Sequence, residues 1–257
     1  MHEVGVLIRA RNKLLRTTGY MAYKRPLEFE IAEPVVSFTF DDFPRSALYV
    51  GGAILKRHGA AGTYFACAGL MGKMDATGEM FVEEDVRALV DEGHELGCHT
   101  RGHHDAMLTL PTAFEQSIVA NRAELGRLCP EMTIRSFSYP KAEPNVGTKR
   151  AAGHHALCCR GGGQTFNRNR ADLNCLKSFF IEQSRNDPQR MMRLIEENAA
   201  APGWLIFSTH DVAERPSPYG CTPELFEEIV GHAAASGARL LTIGAACDAL
   251  RAPRGRA

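Results

Sequence analysis

Two adjacent carboxylates, Asp41 and Asp42, and two imidazoles four residues apart, His99 and His103, are the side chains whose types and spacing could do chemistry together. Neighbouring Asp residues on a turn point in different directions, so one can hold a metal while the other handles a proton. In Cys98-His99-Thr100-Arg101-Gly102-His103-His104, a single helical turn or a tight loop can aim both imidazoles at one point. With a carboxylate from another strand end they make a His₂-carboxylate set, which leaves positions open for water and substrate. The histidine spacing alone is weak, because two exposed histidines on a surface turn are its ordinary explanation. The Asp pair gives it weight.

These residues must be carried by strand ends. Val35 to Phe40 is rich in β-branched and aromatic residues and reads as a buried strand, with Asp41-Asp42 at its C-terminal end before a Phe43-Pro44 break. Alternation of strand and helix patterns then runs the length of the chain. Further strands read at Thr63–Cys67, Gly93–Cys98, Ile134–Tyr139, Ala156–Arg160, Leu176–Ile181, Trp204–Thr209 and Arg239–Ile243. Helices read at Ser46–His58, Val82–Glu92, Ala113–Leu128, Val146–Gly153, Pro188–Ala200, Pro223–Ala235 and Gly244–Leu250. About seven strand-helix units predict an α/β fold with a barrel-like closed sheet, where chemistry sits at the C-terminal ends of the strands.

Thr39-Phe40-Asp41-Asp42, His99-Thr100-Arg101-Gly102-His103, Phe137-Ser138-Tyr139-Pro140 and Phe207-Ser208-Thr209-His210 occur in this order. Together they resemble the motifs of the NodB-like polysaccharide deacetylases, carbohydrate esterase family 4, across roughly residues 35–245. The resemblance implies a distorted (β/α)7-type barrel. It also implies one divalent metal, usually zinc with cobalt or nickel as alternatives, and hydrolytic removal of an N-acetyl or O-acetyl group from a sugar. Carried over, Asp42, His99 and His103 are the metal ligands, Asp41 is the general base and His210 protonates the leaving amine. The oxyanion and substrate side falls on Tyr139, Pro140 and Lys141, through a backbone N–H just after Pro140. Three departures stand out. Phe43 occupies a position where the family usually has Gly. Ser138 stands where many members have the Arg that orients the base; Arg135 fits a looser R-x-x-x-x-P spacing, and Arg160, ending another strand, could reach inward instead. The fourth, Asp-rich motif is absent in its usual form, leaving Asp172, or Asp211, to orient His210.

Thirty basic and thirty acidic residues balance to zero, so no global charge draws the chain to nucleic acid. Locally, residues 1–25 carry Arg9, Arg11, Lys13, Arg16, Lys24 and Arg25 against Glu3 alone. This arm reads either as a solvated lead-in helix or as a peripheral contact for phosphate, acidic sugar or lipid headgroups. The division is therefore a basic arm and connector over 1–34, a deacetylase-like domain over 35–250 and a disordered tail from 251. The eight cysteines lack any C-x-x-C pair and read as reduced, buried, small apolar residues. No stretch approaches the roughly 20 apolar residues that span a bilayer, and no secretory signal is read, so the expected compartment is the cytoplasm. His154-His155 with Cys158-Cys159 could suggest a second metal but read as cap and core residues. The expected activity is removal of the N-acetyl group from an amino sugar in a polysaccharide, oligosaccharide, or lipid- or nucleotide-linked glycan precursor. Alternatives are a sugar O-acetyl esterase, a non-sugar amidohydrolase, or a degenerate member that binds carbohydrate without turnover.

Overall fold

Period-two alternation from Val35 to Asp42 sends side chains into two different surroundings, and both are buried. Phe38 and Phe40 enter the outer shell. The Phe38 ring lies 5.6 Å from those of Phe207 and Phe226, and the Phe40 ring 4.6 Å from that of Tyr64. Ser37 and Asp41 face the other way, where Ser37 Oγ accepts the indole N–H of Trp204 at 2.9 Å and Asp41 meets Ser138. A strand covered on both sides belongs at the centre of a parallel sheet.

The structure is a computed structural model that describes residues 2–252. Its strands are β1 (Pro26–Glu28), β2 (Val35–Asp42), β3 (Thr63–Ala66), β4 (Met74–Asp75), β5 (Gly78–Glu79), β6 (Glu95–Cys98), β7 (Ser136–Ser138), β8 (Cys158–Gly163), β9 (Arg170–Asp172), β10 (Leu176–Phe180), β11 (Trp204–Thr209) and β12 (Arg239–Leu240). Its helices are α1 (His2–Met21), α2 (Ala53–Arg57), α3 (Glu83–Asp91), α4 (Pro111–Leu128), α5 (Val146–His155), α6 (Gln189–Ala200), α7 (Pro223–Ala235) and α8 (Ile243–Arg251). Parallel strands run in the order β11-β10-β8-β7-β6-β3-β2, and β11 pairs back onto β2 from Trp204↔Val35 to Thr209↔Phe40. The sheet is thus a closed seven-stranded barrel with helices outside. β12 pairs only with Val35 and Val36 at the start of β2. Val35, Phe65, Cys158, Leu176, Trp204 and Ile206 form an inner cluster with Ile243, Ala246 and Cys247 of α8.

The basic arm is built onto this body. A Cβ on Gly19 would lie 2.1 Å from the Pro144 carbonyl oxygen, so only glycine lets α1 approach the loop before α5 this closely. Arg16 pairs with Glu143 at 3.0 Å, and β1 pairs antiparallel with β9. The side chain of Arg9, and the tail beyond Ala252, lie outside the described residues. Two expectations change in detail. The helix expected from Ser46 opens with wide π-type turns over Ala47–Gly52 before becoming α2. The strand expected to end at Arg160 continues as β8 to Gly163, and a further short strand, β9, precedes the one expected at Leu176. All eight cysteines are buried and unpaired, and no described helix is long and apolar enough to cross a membrane.

Candidate active site

At the C-terminal ends of the barrel strands lies a cavity of about 350 Å³, lined by Asp41, Asp42, His99, His103 and His210 among others. The sequence-predicted core of the site is therefore assembled in one place. Asp42 ends β2 with φ +64°, and the next residue, Phe43, has φ +62°. Two successive left-handed residues are strained for non-glycine side chains. The Phe43 ring holds the turn: it is fully buried, stacked on Phe81 at 4.8 Å and 7° and tilted against Tyr64 at 5.2 Å. His99 and His103 stand on a tight loop rather than a helical turn, with Thr100 at φ +61° and His103 at φ +49°.

One ligand atom from each of Asp42, His99 and His103 lies within 4.8 Å of the others. His99 Nδ1 is 2.9 Å from the Ser138 carbonyl oxygen and must donate to it, so the neutral ring turns a lone pair on Nε2 towards Asp42. Asp42 Oδ1 is 3.5 Å from His99 Nε2 and 3.2 Å from His103 Nε2, yet is buried with no hydrogen-bond partner. Converging acceptors around an orphaned carboxylate oxygen suit a cation. Without one, burial pushes the Asp42 carboxyl up to about 6, and burial pushes His99 down to about 3 and lowers His103. Neutral imidazoles are the form that ligates a metal. The residues present fit a divalent ion.

Asp41 is held differently. Burial alone would raise its carboxyl, but the Arg160 guanidinium outweighs that, helped by His99, His210 and hydrogen bonds from Arg160, and keeps it well below the usual carboxylate range. Arg160 is fully buried; its Nη2 donates to both carboxylate oxygens of Asp41 and to Ser138 Oγ. Ser138 Oγ in turn donates to Asp41 Oδ1 at 3.0 Å. Arg135 is thereby corrected. It precedes β7, pairs with Asp248 of α8 through two 2.7 Å bonds on the surface and lines no part of the cavity.

His210 Nδ1 lies 3.3 Å from the Tyr219 carbonyl oxygen, and its Nε2 is 3.9 Å from Asp42 Oδ2. Asp172 does not reach it. That carboxylate accepts the Arg25 backbone N–H at 2.9 Å and pairs with buried Lys149 at 2.7 Å, fastening the connector outside the cavity. Asp211 also misses His210 directly. It accepts the Ser217 N–H and hydroxyl, closing the loop that presents the Tyr219 carbonyl. Of the oxyanion-side residues, only Lys141 lines the cavity; Tyr139 is buried with its hydroxyl donating to the Asn174 carbonyl, and Pro140 is buried. His155 pairs with Glu115 at 2.8 Å, and Asp42-His99-His103 is the one metal-ligating group found among the described residues.

Residues 30–157 match the family model described as polysaccharide deacetylase. The chain belongs to this family. Solved structures share the deacetylase fold at low identity. A protein described as T48 deacetylase with substrate matches with TM-score 0.56 and 18% identity, covering 82% of this chain and 89% of that chain. A family 4 acetyl xylan esterase from Clostridium thermocellum, in complex with a cobalt ion, matches with TM-score 0.56 and 20% identity, covering 82% and 88%. A carbohydrate esterase family 4 pseudoenzyme from Bacillus anthracis matches with TM-score 0.60 and 15% identity, covering 84% and 66%. A search of curated proteins gave no match.

Within the polysaccharide deacetylase barrel, three cavity features were not read from the sequence. The hairpin of β4 and β5 brings Asp75, Ala76 and Thr77 over the site, Glu182 enters just past the end of β10, and Tyr219 comes from the loop after β11. Glu182 follows a strand end and could have been found by that rule. Asp75–Thr77 and Tyr219 sit in loops whose return over the site leaves no local signal.

Proposed function

We propose that this polysaccharide deacetylase is a metal-dependent hydrolase that removes the N-acetyl group of an amino sugar in a polysaccharide, oligosaccharide, or lipid- or nucleotide-linked glycan precursor. The observation that carries the reading is one cavity holding an ionised carboxylate, a cation-ready Asp-His-His trio and an imidazole. Asp42, His99 and His103 would hold the ion, with zinc first by donor set and cobalt or nickel as alternatives. When bound, a divalent ion supplies Lewis-acid polarisation of the acyl carbonyl and acidifies water.

Asp41 accepts a proton from the attacking water. A carboxylate held so low is a weak base, so this transfer requires a water that is already acidified. Arg160 keeps Asp41 charged and oriented between cycles. His210 donates its Nδ1–H to the Tyr219 carbonyl, which leaves Nε2 directed at the cavity to protonate the departing nitrogen. An amine leaves poorly as an anion, so this acid is required for an amide. The backbone N–H of Lys141, just after Pro140, is the proposed oxyanion donor. In this reading residues 35–250 are the catalytic domain, and 1–34 add a basic arm suited to anionic headgroups.

Acetate release from N-acetylglucosamine oligomers and from a nucleotide-linked N-acetyl amino sugar, with zinc and with chelator, tests the proposal. Chelator-sensitive release supports it. The second reading, ester hydrolysis on the same barrel, is favoured by the shared fold with the Clostridium thermocellum esterase. It predicts release from acetylated phenols or xylan and none from the oligomers. Stoichiometric metal without any release would leave a binding role.

A further inference from the structure

Two oxygens in the cavity wall are buried without a hydrogen-bond partner, and neither belongs to the base, the acid or the metal trio. One is Glu182 Oε2, just past the end of β10; the other is Thr77 Oγ1, on the hairpin between β4 and β5. The cations near Glu182 are engaged elsewhere. Arg160 serves Asp41, and Arg185 donates to the Ser217 and Gly220 carbonyls. Burial first, and then the negative charge of Asp41, pushes the Glu182 carboxyl up to about 7. Thr77 is equally unusual, 6% exposed on a hairpin whose neighbours Asp75 and Ala76 are exposed.

Around the barrel ring, β3, which leads into the hairpin, is separated from β10 by β2 and β11 on one side and by β6, β7 and β8 on the other. The ends of β2 and β11, which carry Asp41, Asp42 and His210, lie between β3 and β10 in this order, and Glu182 and Thr77 line the same cavity as these three. Leaving a buried acceptor or hydroxyl unpaired is costly, so such groups ordinarily have a partner. A carboxylate accepts from a hydroxyl, and a Thr hydroxyl can accept or donate. Both residues line the cavity in which an acyl group would be cut.

We propose that Glu182 and Thr77 are specificity residues that hydrogen-bond two different ring hydroxyls of the sugar. The proposal rests on the reading of the substrate as an acylated sugar. It makes the site selective for polyhydroxylated acyl substrates over plain acetamides or acetate esters.

The test is a coupling cycle. Full-length, zinc-loaded protein, with Glu182→Gln or Thr77→Val, is compared with wild type on N-acetylglucosamine oligomers and on monodeoxy analogues lacking one ring hydroxyl at a time. The readout is kcat/KM where acetate is released and Kd by calorimetry where it is not. Losing the matched hydroxyl should weaken wild type by about tenfold and Glu182→Gln by little more than twofold; for Thr77 the coupling should be about fivefold at a different hydroxyl. Additive losses at every ring position in both variants, or no binding of the oligomers, overturn the proposal. Coupling seen in Kd with no acetate release sinks the deacetylase reading and leaves this one standing. If Glu182→Gln does not fold, Thr77→Val on the hairpin decides alone, with non-additivity required.

Discussion

Replacing Arg160 with Met should expose how Asp41 is kept charged. The pair is buried, with Arg160 fully enclosed and Asp41 only 6% exposed, so removing the cation strands an anion away from water. Breaking such a pair costs about 3–5 kcal/mol. The stranded carboxyl can instead take a proton, and drawing one at pH 7 onto a group with an ordinary value near 3.9 costs about 4 kcal/mol, which caps the penalty. At pH 5 the same arithmetic gives about 1.5 kcal/mol. The sign follows from linkage. In the variant the folded state holds a proton that the unfolded state releases above pH 4, so stability falls as pH rises. In wild type the depressed Asp41 stabilises above the ordinary carboxylate range and loses that contribution only as pH falls through its low folded value. Urea unfolding at pH 5 and pH 7, in chelator so that no second cation replaces Arg160, reads both curves. Arg135→Ala is the control: its pair with Asp248 is 42% and 52% exposed and should be worth no more than about 1 kcal/mol at either pH. Equal losses for Arg160→Met and Arg135→Ala, or an Arg160→Met penalty that is flat from pH 5 to 7, would refute the reasoning.

Phe43→Gly should be more stable than Phe43→Ala by about 1 kcal/mol, because glycine relieves the φ of +62° while both lose the stack on Phe81; the reverse order in urea midpoints would deny the strain. Burial lowers the pKa of His94, whose Nδ1 accepts the Gly62 N–H at 3.0 Å, so the unfolded chain protonates first below about pH 6.5. Wild type should then lose stability from pH 7.5 to 5.5 more steeply than His94→Gln, and parallel slopes would count against this. Zinc at a hundredfold over its Kd should stabilise the fold by about 2.7 kcal/mol, seen as a chelator-reversible rise in unfolding temperature that His103→Ala abolishes.

The parts of the site legible in the sequence are those carried by short local patterns. Asp41-Asp42 and Thr209-His210 each end an apolar strand, and His99 and His103 share one loop, so type and spacing located them without knowledge of packing. Arg160 is different. Its role depends on β8 lying beside β7 with Ser138 opposite Arg160, a register that no local pattern records. Arg135 fitted a spacing but lies three residues before Ser138, about 10 Å back along an extended chain, on the wrong side of the barrel wall. Asp172 was read as free for His210 because its true partners, Arg25 and Lys149, are distant in sequence. The connector was read as separate from the barrel for the same reason. The barrel itself was legible because seven strand-helix alternations leave few ways to bury seven apolar strands.

The barrel does not decide whether this chain turns over substrate, since a pseudoenzyme from Bacillus anthracis shares it. The absence of an Arg in the third motif does not decide it either. A guanidinium reaching across from β8 sets a positive charge against Asp41 and keeps it ionised, and Ser138 adds a hydrogen bond. Burying a cation and an anion together does not in general stabilise a fold beyond what apolar residues of the same volume would do. Asp41 and Arg160 are buried together at the one point in the barrel that also faces the Asp42-His99-His103 trio and His210. An ion pair that apolar residues of the same volume could replace, held beside a cation-ready trio and an imidazole, marks a candidate functional site.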